Sequence, residues 1–270
     1  MAQRKRVGLA LSVGGPRGVA HVGAIQVLRE HGIPIDYVAG ASIGAWVGAC
    51  YARSEDVDEL AAKTLGYKRE KVRAIFEPSL RGGLVKGIRV ERLLRELLDD
   101  VTFEQLRIPL TVVTTDLVSG AEVDITTGDV VRAVRASMAI PFIFRAVEDG
   151  DRRLVDGGLI NPLPVDIVRR MGADIVIAVN LEGSSLLSAV THSRLNSSVR
   201  IAKRSFEIMS NKIAAQQAVR ADIVIEPKFS QTALEYWKAY FFRDGERELL
   251  EAGRAAATEQ LDAIHAALDS

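Results

Sequence analysis

One cysteine in 270 residues leaves no pair for a disulfide framework, which suits a reducing compartment. Cys50 falls in a stretch read as helix and is expected to be a small buried hydrophobe. An excess charge of either sign is missing too. The 35 Lys and Arg balance the 35 Asp and Glu, so no net field recruits nucleic acid, and no nucleic-acid partner is expected. No apolar run is long enough to span a bilayer. The start, Arg4-Lys5-Arg6 followed by Val7-Gly8-Leu9-Ala10-Leu11, is only superficially a secretion signal. Its apolar run is short and gives way to Gly14-Gly15-Pro16-Arg17, so it reads as a first strand. Four scattered histidines and one cysteine offer no metal-ligand spacing, and neither a metal nor another cofactor is expected. The nucleotide patterns Gly-x-x-x-x-Gly-Lys and Gly-x-Gly-x-x-Gly are absent as well. No internal repeat, low-complexity segment or linker interrupts the chain.

The composition that remains, 48% apolar and 26% charged, is that of an ordinary globular protein. Its length suits one large α/β domain spanning residues 1–270. A cytoplasmic location is expected, with the inner membrane face open to peripheral contact. The oligomeric state is not legible.

Short apolar runs alternate with helical periodicity along most of the chain. Strands are expected at residues 7–11, in the short apolar run that begins at Val38, and at 110–115, 121–126, 153–155, 175–180 and 223–226. Helices are expected at 18–31, 43–53, within 55–77, and at 91–98, 130–138, 165–171, 196–220 and 244–268. The glycine-rich stretch at 81–87 reads as a surface turn. Such alternation predicts a three-layer α/β/α sandwich around a mainly parallel sheet.

The stretch that organises the rest is Val38-Ala39-Gly40-Ala41-Ser42-Ile43-Gly44-Ala45-Trp46. It places a serine on a sharp turn between a strand and a helix. That turn thrusts the hydroxyl clear and crowds the residues two before and two after it, where Gly40 and Gly44 stand. The helix that follows aims its free amides, and the positive end of its dipole, at any oxygen that turns negative during acyl transfer. The alternative is that small residues here serve close packing of a helix on the sheet.

A nucleophilic serine needs a base, and the histidines are badly placed for it. His21 and His31 precede the serine, and His265 lies in the final helix. His192, in a polar run, is the histidine that a Ser-Asp-His order could use. Asp156, in Asp156-Gly157-Gly158, offers a simpler dyad by accepting the Ser42 proton directly, unless the segment is only a tight turn. A third glycine turn, Ser12-Val13-Gly14-Gly15-Pro16-Arg17-Gly18, ends the first strand. Its backbone N–H groups suit an oxyanion hole or a phosphate cradle. Arg17 there either bends into solvent, supports the loop, or meets an anionic head group.

Four motifs occur in the order seen in patatin-like phospholipases: Gly14-Gly15-Pro16-Arg17-Gly18, Gly40-Ala41-Ser42-Ile43-Gly44, Ala136-Ser137-Met138-Ala139-Ile140-Pro141 and Asp156-Gly157-Gly158. The run from Val155 to Pro164 resembles the bacterial branch of that family, near the neuropathy-target-esterase catalytic domains. The resemblance covers about residues 6–228 and leaves a helical segment of about 229–270. It implies a Ser42 nucleophile and an Asp156 base that also activates water for deacylation. It implies further an oxyanion and substrate loop of Gly14, Gly15, Arg17 and Gly18. The substrate would be a phospholipid, lysophospholipid or other lipid ester.

Two departures from the family pattern stand in the loop. Val13 replaces the usual third glycine, and Pro16 a small residue such as alanine, with the loss of one N–H. The hole is therefore expected to use the amides of Gly14 and Gly15. The segment at residues 234–243, rich in aromatics and cations, is read either as packing for the C-terminal part or as a lipid-facing lip. A weakly active or non-catalytic protein that binds acyl or anionic ligands on the same scaffold is the alternative to an enzyme.

Overall fold

Every residue of the first strand, β1 (Val7–Leu11), is buried, and its side chains alternate between two apolar layers. Val7, Leu9 and Leu11 enter the larger layer and Ala10 the smaller. A period of two with both faces covered is what a central strand requires. The computed structural model describes residues 4–66, 70, 86–141, 143–183, 198–229 and 245–270.

β1 pairs in parallel with β2 (Tyr37–Ala41) on one side, and the parallel array continues beyond it to β3 (Leu110–Asp116). Two short strands, β4 (Glu122–Ile125) and β6 (Arg152–Asp156), run the other way and pair with β3, and a third, β5 (Val147–Asp149), reverses again beside β6. On the other side of β1 lie β7 (Ile175–Val179) and then β8 (Ile223–Ile225), both parallel. The sheet is mixed but mainly parallel, as expected. β5 was not legible in the sequence: it is three residues long and is carried by a turn at Gly150 (φ 60°).

Helices cover both faces. The larger apolar layer receives side chains from α1 (Val19–Glu30), α2 (Ile43–Ser54), α3 (Val57–Leu65), α4 (Ile88–Leu98) and α5 (Val130–Ser137). The smaller layer is built by α6 (Val165–Arg170) and α7 (Ser198–Ala218) against Ala10, Ala39, Ala41 and Val113. Small residues on that face of the sheet let α6 approach closely; a Cβ on Gly8 would lie 2.7 Å from that of Ala173 and 2.9 Å from that of Val168. The result is the α/β/α sandwich read from the sequence.

Two helices depart from expectation by more than two residues. α4 begins at Ile88, three residues before its expected start, because Gly87 with φ 84° turns the chain directly into it. The single closing helix expected at 244–268 is two, α8 (Glu246–Thr258) and α9 (Leu261–Asp269). A turn at Glu259 and Gln260 redirects the chain, so that both Ala257 and Ile264 reach the core. His192, the segment at 234–243 and parts of the stretches at 55–77 and 81–87 lie outside the described residues.

Candidate active site

Ser42 occupies the turn between β2 and α2 with φ 54° and ψ −121°. A non-glycine residue held there costs about 1–3 kcal/mol, so its surroundings must impose it. A Cβ on Gly40 would strike the carbonyl of Gly44, and one on Gly44 would strike the carbonyl of Leu11. Side chains at either position would push the turn open. The Ser42 N–H donates to Ser137 Oγ at 2.8 Å, and the Ser137 hydroxyl donates to the Val113 carbonyl at 2.6 Å. The Ser42 carbonyl accepts from the N–H groups of Ala45 and Trp46, which starts α2. Backbone and side chain are thereby separated, and only the hydroxyl is left for chemistry.

That hydroxyl donates to Asp156 Oδ2 at 2.7 Å across 114 residues of chain. Sheet register brings the two together. β2 pairs with Leu110 to Val113 of β3, and β6 pairs with Thr114 to Asp116. β4 pairs with residues 112–115 and overlaps both, so it takes the other edge of β3. β2 and β6 therefore run towards each other along one edge, and their carboxyl ends meet.

Asp156 is only 1% exposed. Its Oδ1 accepts the Gly158 N–H at 2.8 Å, its own N–H donates to the Ala139 carbonyl at 3.1 Å, and its carbonyl accepts from Thr115 Oγ1 at 3.0 Å. Burial pushes the carboxyl up to about 7, and the nearby Glu182 adds to that direction. The Gly158 N–H and the Ser42 hydroxyl pull against it. Gly157 is required where it stands, since a Cβ there would strike the Val113 carbonyl. A carboxyl of this kind changes protonation near neutrality, as a general base must.

The glycine loop leaves β1 beside the elbow. Gly15 has φ 55°, and the N–H groups of Gly14 and Gly15 meet no acceptor among the described residues. Val13 N–H, by contrast, donates to the Pro162 carbonyl at 2.9 Å. The valine side chain is buried in the smaller apolar layer, so close to Gly158 that a Cβ there would lie 2.8 Å from Val13 Cγ1. Its departure from glycine thus falls outside the ring of free amides. Gly18 sits under Ile43, where a Cβ would strike that side chain.

Arg17 does not bend into solvent. It is 5% exposed and donates to the Leu181 carbonyl at 2.7 Å, to Glu182 Oε1 at 2.5 Å and to the Gly14 carbonyl at 3.3 Å. The Phe229 ring lies 5.5 Å from its guanidinium carbon. Burial raises the Glu182 carboxyl while Arg17 pulls it down. The pair staples the glycine loop to the end of β7, and it presents no free cation to a head group.

Ser137 and Ala139 were not singled out as site residues in the sequence. The signal was there in the Ala136 to Pro141 motif, which brackets the pair: Ser137 holds the Ser42 amide and Ala139 holds that of Asp156. None of the described histidines reaches the serine. His21 Nε2 bonds the Ser12 carbonyl, His31 Nδ1 the Val27 carbonyl, and His265 is exposed on α9. Among the described residues no group of three or more His, Cys, Asp or Glu side chains could hold a metal ion.

Comparison with known proteins finds a matching family and relatives of the chain. The family model described as patatin-like phospholipase matches residues 9–169. An uncharacterized NTE family protein of Mycobacterium tuberculosis is 38% identical over 210 residues, 75% of this chain and 58% of that protein. Patatin-like phospholipase domain-containing protein 6 of Homo sapiens is 34% identical over 183 residues, covering 65% of this chain and 13% of that protein. The chain thus spans little more than half the length of its mycobacterial relative. Among solved structures, VipD from Legionella pneumophila superposes with a TM-score of 0.64 at 14% identity, over 97% of this chain and 67% of that one. At such identity the likeness speaks for the fold.

Proposed function

The chain belongs to the patatin-like phospholipase family, and we propose that it is a serine acyl hydrolase acting on lipid carboxylic esters, phospholipid or lysophospholipid among them. The observation that carries this reading is the 2.7 Å hydrogen bond from Ser42 Oγ to Asp156 Oδ2. In the proposed reaction Ser42 Oγ attacks the ester carbonyl as its proton passes to Asp156 Oδ2. The carbonyl oxygen becomes an oxyanion facing the Gly14 and Gly15 N–H groups, with the first amides of α2 alongside. Collapse of the intermediate breaks the ester C–O bond, and Asp156 returns its proton to the departing alcohol. Asp156 then takes a proton from water, whose oxygen attacks the acyl-serine. Collapse of that second intermediate frees the carboxylic acid and returns the proton to Ser42.

Peripheral contact with a bilayer belongs to the same proposal. No helix among the described residues is long and apolar enough to cross a membrane. α7 turns Ile201, Ile208 and Met209 outward on one face with the exposed Lys212, a pattern suited to an anionic lipid surface. The same helix sits over the Asp156 turn, where a Cβ on Gly158 would lie 3.3 Å from Phe206 Cζ.

A fluorophosphonate probe tests the reading. It should label Ser42 and fail on Ser42→Ala, and Asp156→Asn should cut ester turnover by about 10²–10⁴-fold. Wild-type turnover in Asp156→Asn would sink the dyad. Tight binding of acyl ligands with no turnover across a panel of esters would show a binding protein instead.

A further inference from the structure

His21 takes no part in the reaction above, yet it touches the loop on which that reaction depends. The ring lies in the first turn of α1, fully enclosed, and Nε2 meets the Ser12 carbonyl at 2.9 Å. Nδ1 has no partner. A carbonyl can only accept, so Nε2 carries the proton, and a second proton on Nδ1 would be buried without an acceptor. The ring is therefore a neutral donor. Burial and the charge of Arg17 push it the same way, down to about 4.

What the imidazole holds is one end of a peptide plane. The other end, the Val13 N–H, donates to the Pro162 carbonyl at 2.9 Å. Ser12 is fixed elsewhere as well: its N–H donates to the Val179 carbonyl at 3.2 Å, and its Oγ accepts the Leu181 N–H at 2.8 Å. The Ser12 carbonyl also lies against Gly44, where a Cβ would approach it to 2.7 Å. The plane between residues 12 and 13 is thus pinned at both ends, directly beside the helix that carries Ser42. The next two N–H groups along the chain are the unpaired ones of Gly14 and Gly15.

We propose that His21 is a positioning residue for the oxyanion hole, its Nε2–H clamping the Ser12 carbonyl and thereby setting where the Gly14 and Gly15 N–H groups point relative to Ser42 Oγ. This rests on the hydrolase reading above. Without the clamp the plane retains only its Pro162 bond and can rotate about it, and the donors beyond it lose their preset aim. Preset aim is what makes such donors effective in the transition state and leaves substrate binding little changed.

The test compares His21→Leu, which removes the donor, with His21→Gln, whose side-chain amide places a donor near the former Nε2. Both are assayed in the full chain with a short water-soluble nitrophenyl ester. His21→Leu should lower kcat by ~10-fold or more with KM changed less than about twofold, and should slow fluorophosphonate labelling in parallel. His21→Gln should recover most of the loss. A folded His21→Leu with wild-type kcat would overturn the proposal, as would equal losses in both variants. Should His21→Leu fail to fold, nitrogen-detected NMR of the wild-type ring decides: an Nε2–H that exchanges slowly with solvent supports the clamp, and an Nδ1–H tautomer overturns it. Absence of turnover and labelling in the wild type would sink the hydrolase reading, and the NMR result would still judge the clamp.

Discussion

Asp156 pairs in antiparallel register with Thr114, one step along β3 from the Val113 that pairs with Ala41. β3 is therefore the ruler on which the proposed nucleophile and its proposed base are measured out. Ser42 follows Ala41 directly, and Asp156 is the last residue of β6. The same strand receives the Ser137 hydroxyl at the Val113 carbonyl and binds the Asp156 carbonyl through Thr115 Oγ1. Three consecutive residues of β3 thus locate Ser42, Asp156 and the bracket that holds them.

The reaction should switch on with pH. Asp156 can accept the Ser42 proton only when ionised, and its carboxyl is pushed up to about 7. For the free enzyme, kcat/KM is expected to fall about tenfold per pH unit on the acid side of that value and to level off above it. A rate profile between pH 5 and 9 measures this. A flat profile down to pH 5 would mean that the base is something else.

Stability should run against activity at the same carboxyl. Its folded pKa of about 7 lies above its ordinary 3.8. The stability it contributes is thus fully present below about 3.8 and lost as pH rises through about 7. Above that, the native state carries a buried carboxylate. Asp156→Asn removes the charge, so this inactive variant should melt at a higher temperature than the wild type at pH 8. The gap should shrink at pH 5; the same shift at both pH values would contradict the assignment.

Ser137→Ala should separate the bracket from the hydroxyl it supports. It leaves the Ser42 N–H and the Val113 carbonyl without their partner. Each unpaired buried group costs about 1–3 kcal/mol. The strained turn at Ser42 then loses its main restraint, and kcat should fall by roughly tenfold or more with Ser42 chemically intact. Unchanged kcat in a destabilised variant would show that Ser137 serves the fold alone.

Val13→Gly isolates the departure in the glycine loop. The valine amide is already spent on Pro162 and its side chain fills the smaller apolar layer. Activity per folded molecule should be unchanged, while stability drops by about 2–3 kcal/mol from lost burial and added chain freedom. A large gain in turnover would show instead that valine obstructs the hole.

The layers, the parallel strands and the elbow were all legible in the chain, because each depends on neighbours close in sequence. Alternation in Val7 to Leu11 follows from the two-residue repeat of a strand. Gly40 and Gly44 betray a sharp turn because their missing side chains would collide within a few residues of Ser42. Even the choice of Asp156 could be made by the poverty of histidine. Other features were not legible. Arg17 had solvent, loop and head group open to it, and the partner that decided was Glu182, 165 residues away. Ser137 stood inside a recognisable motif but without a stated task, since its two partners lie 95 and 24 residues off.

Local sterics and periodicity, which act over a few residues, were enough for the amino-acid order alone to determine most of the elements and the sharp turn at Ser42. Only the tertiary structure decided that β6 turns back to meet β2 along one edge of β3, that the carboxyl is buried deeply enough to titrate near neutrality, and that His21 reaches the loop. Register, desolvation and long-range hydrogen bonds depend on which distant segments share a space, and one-dimensional order does not carry that information.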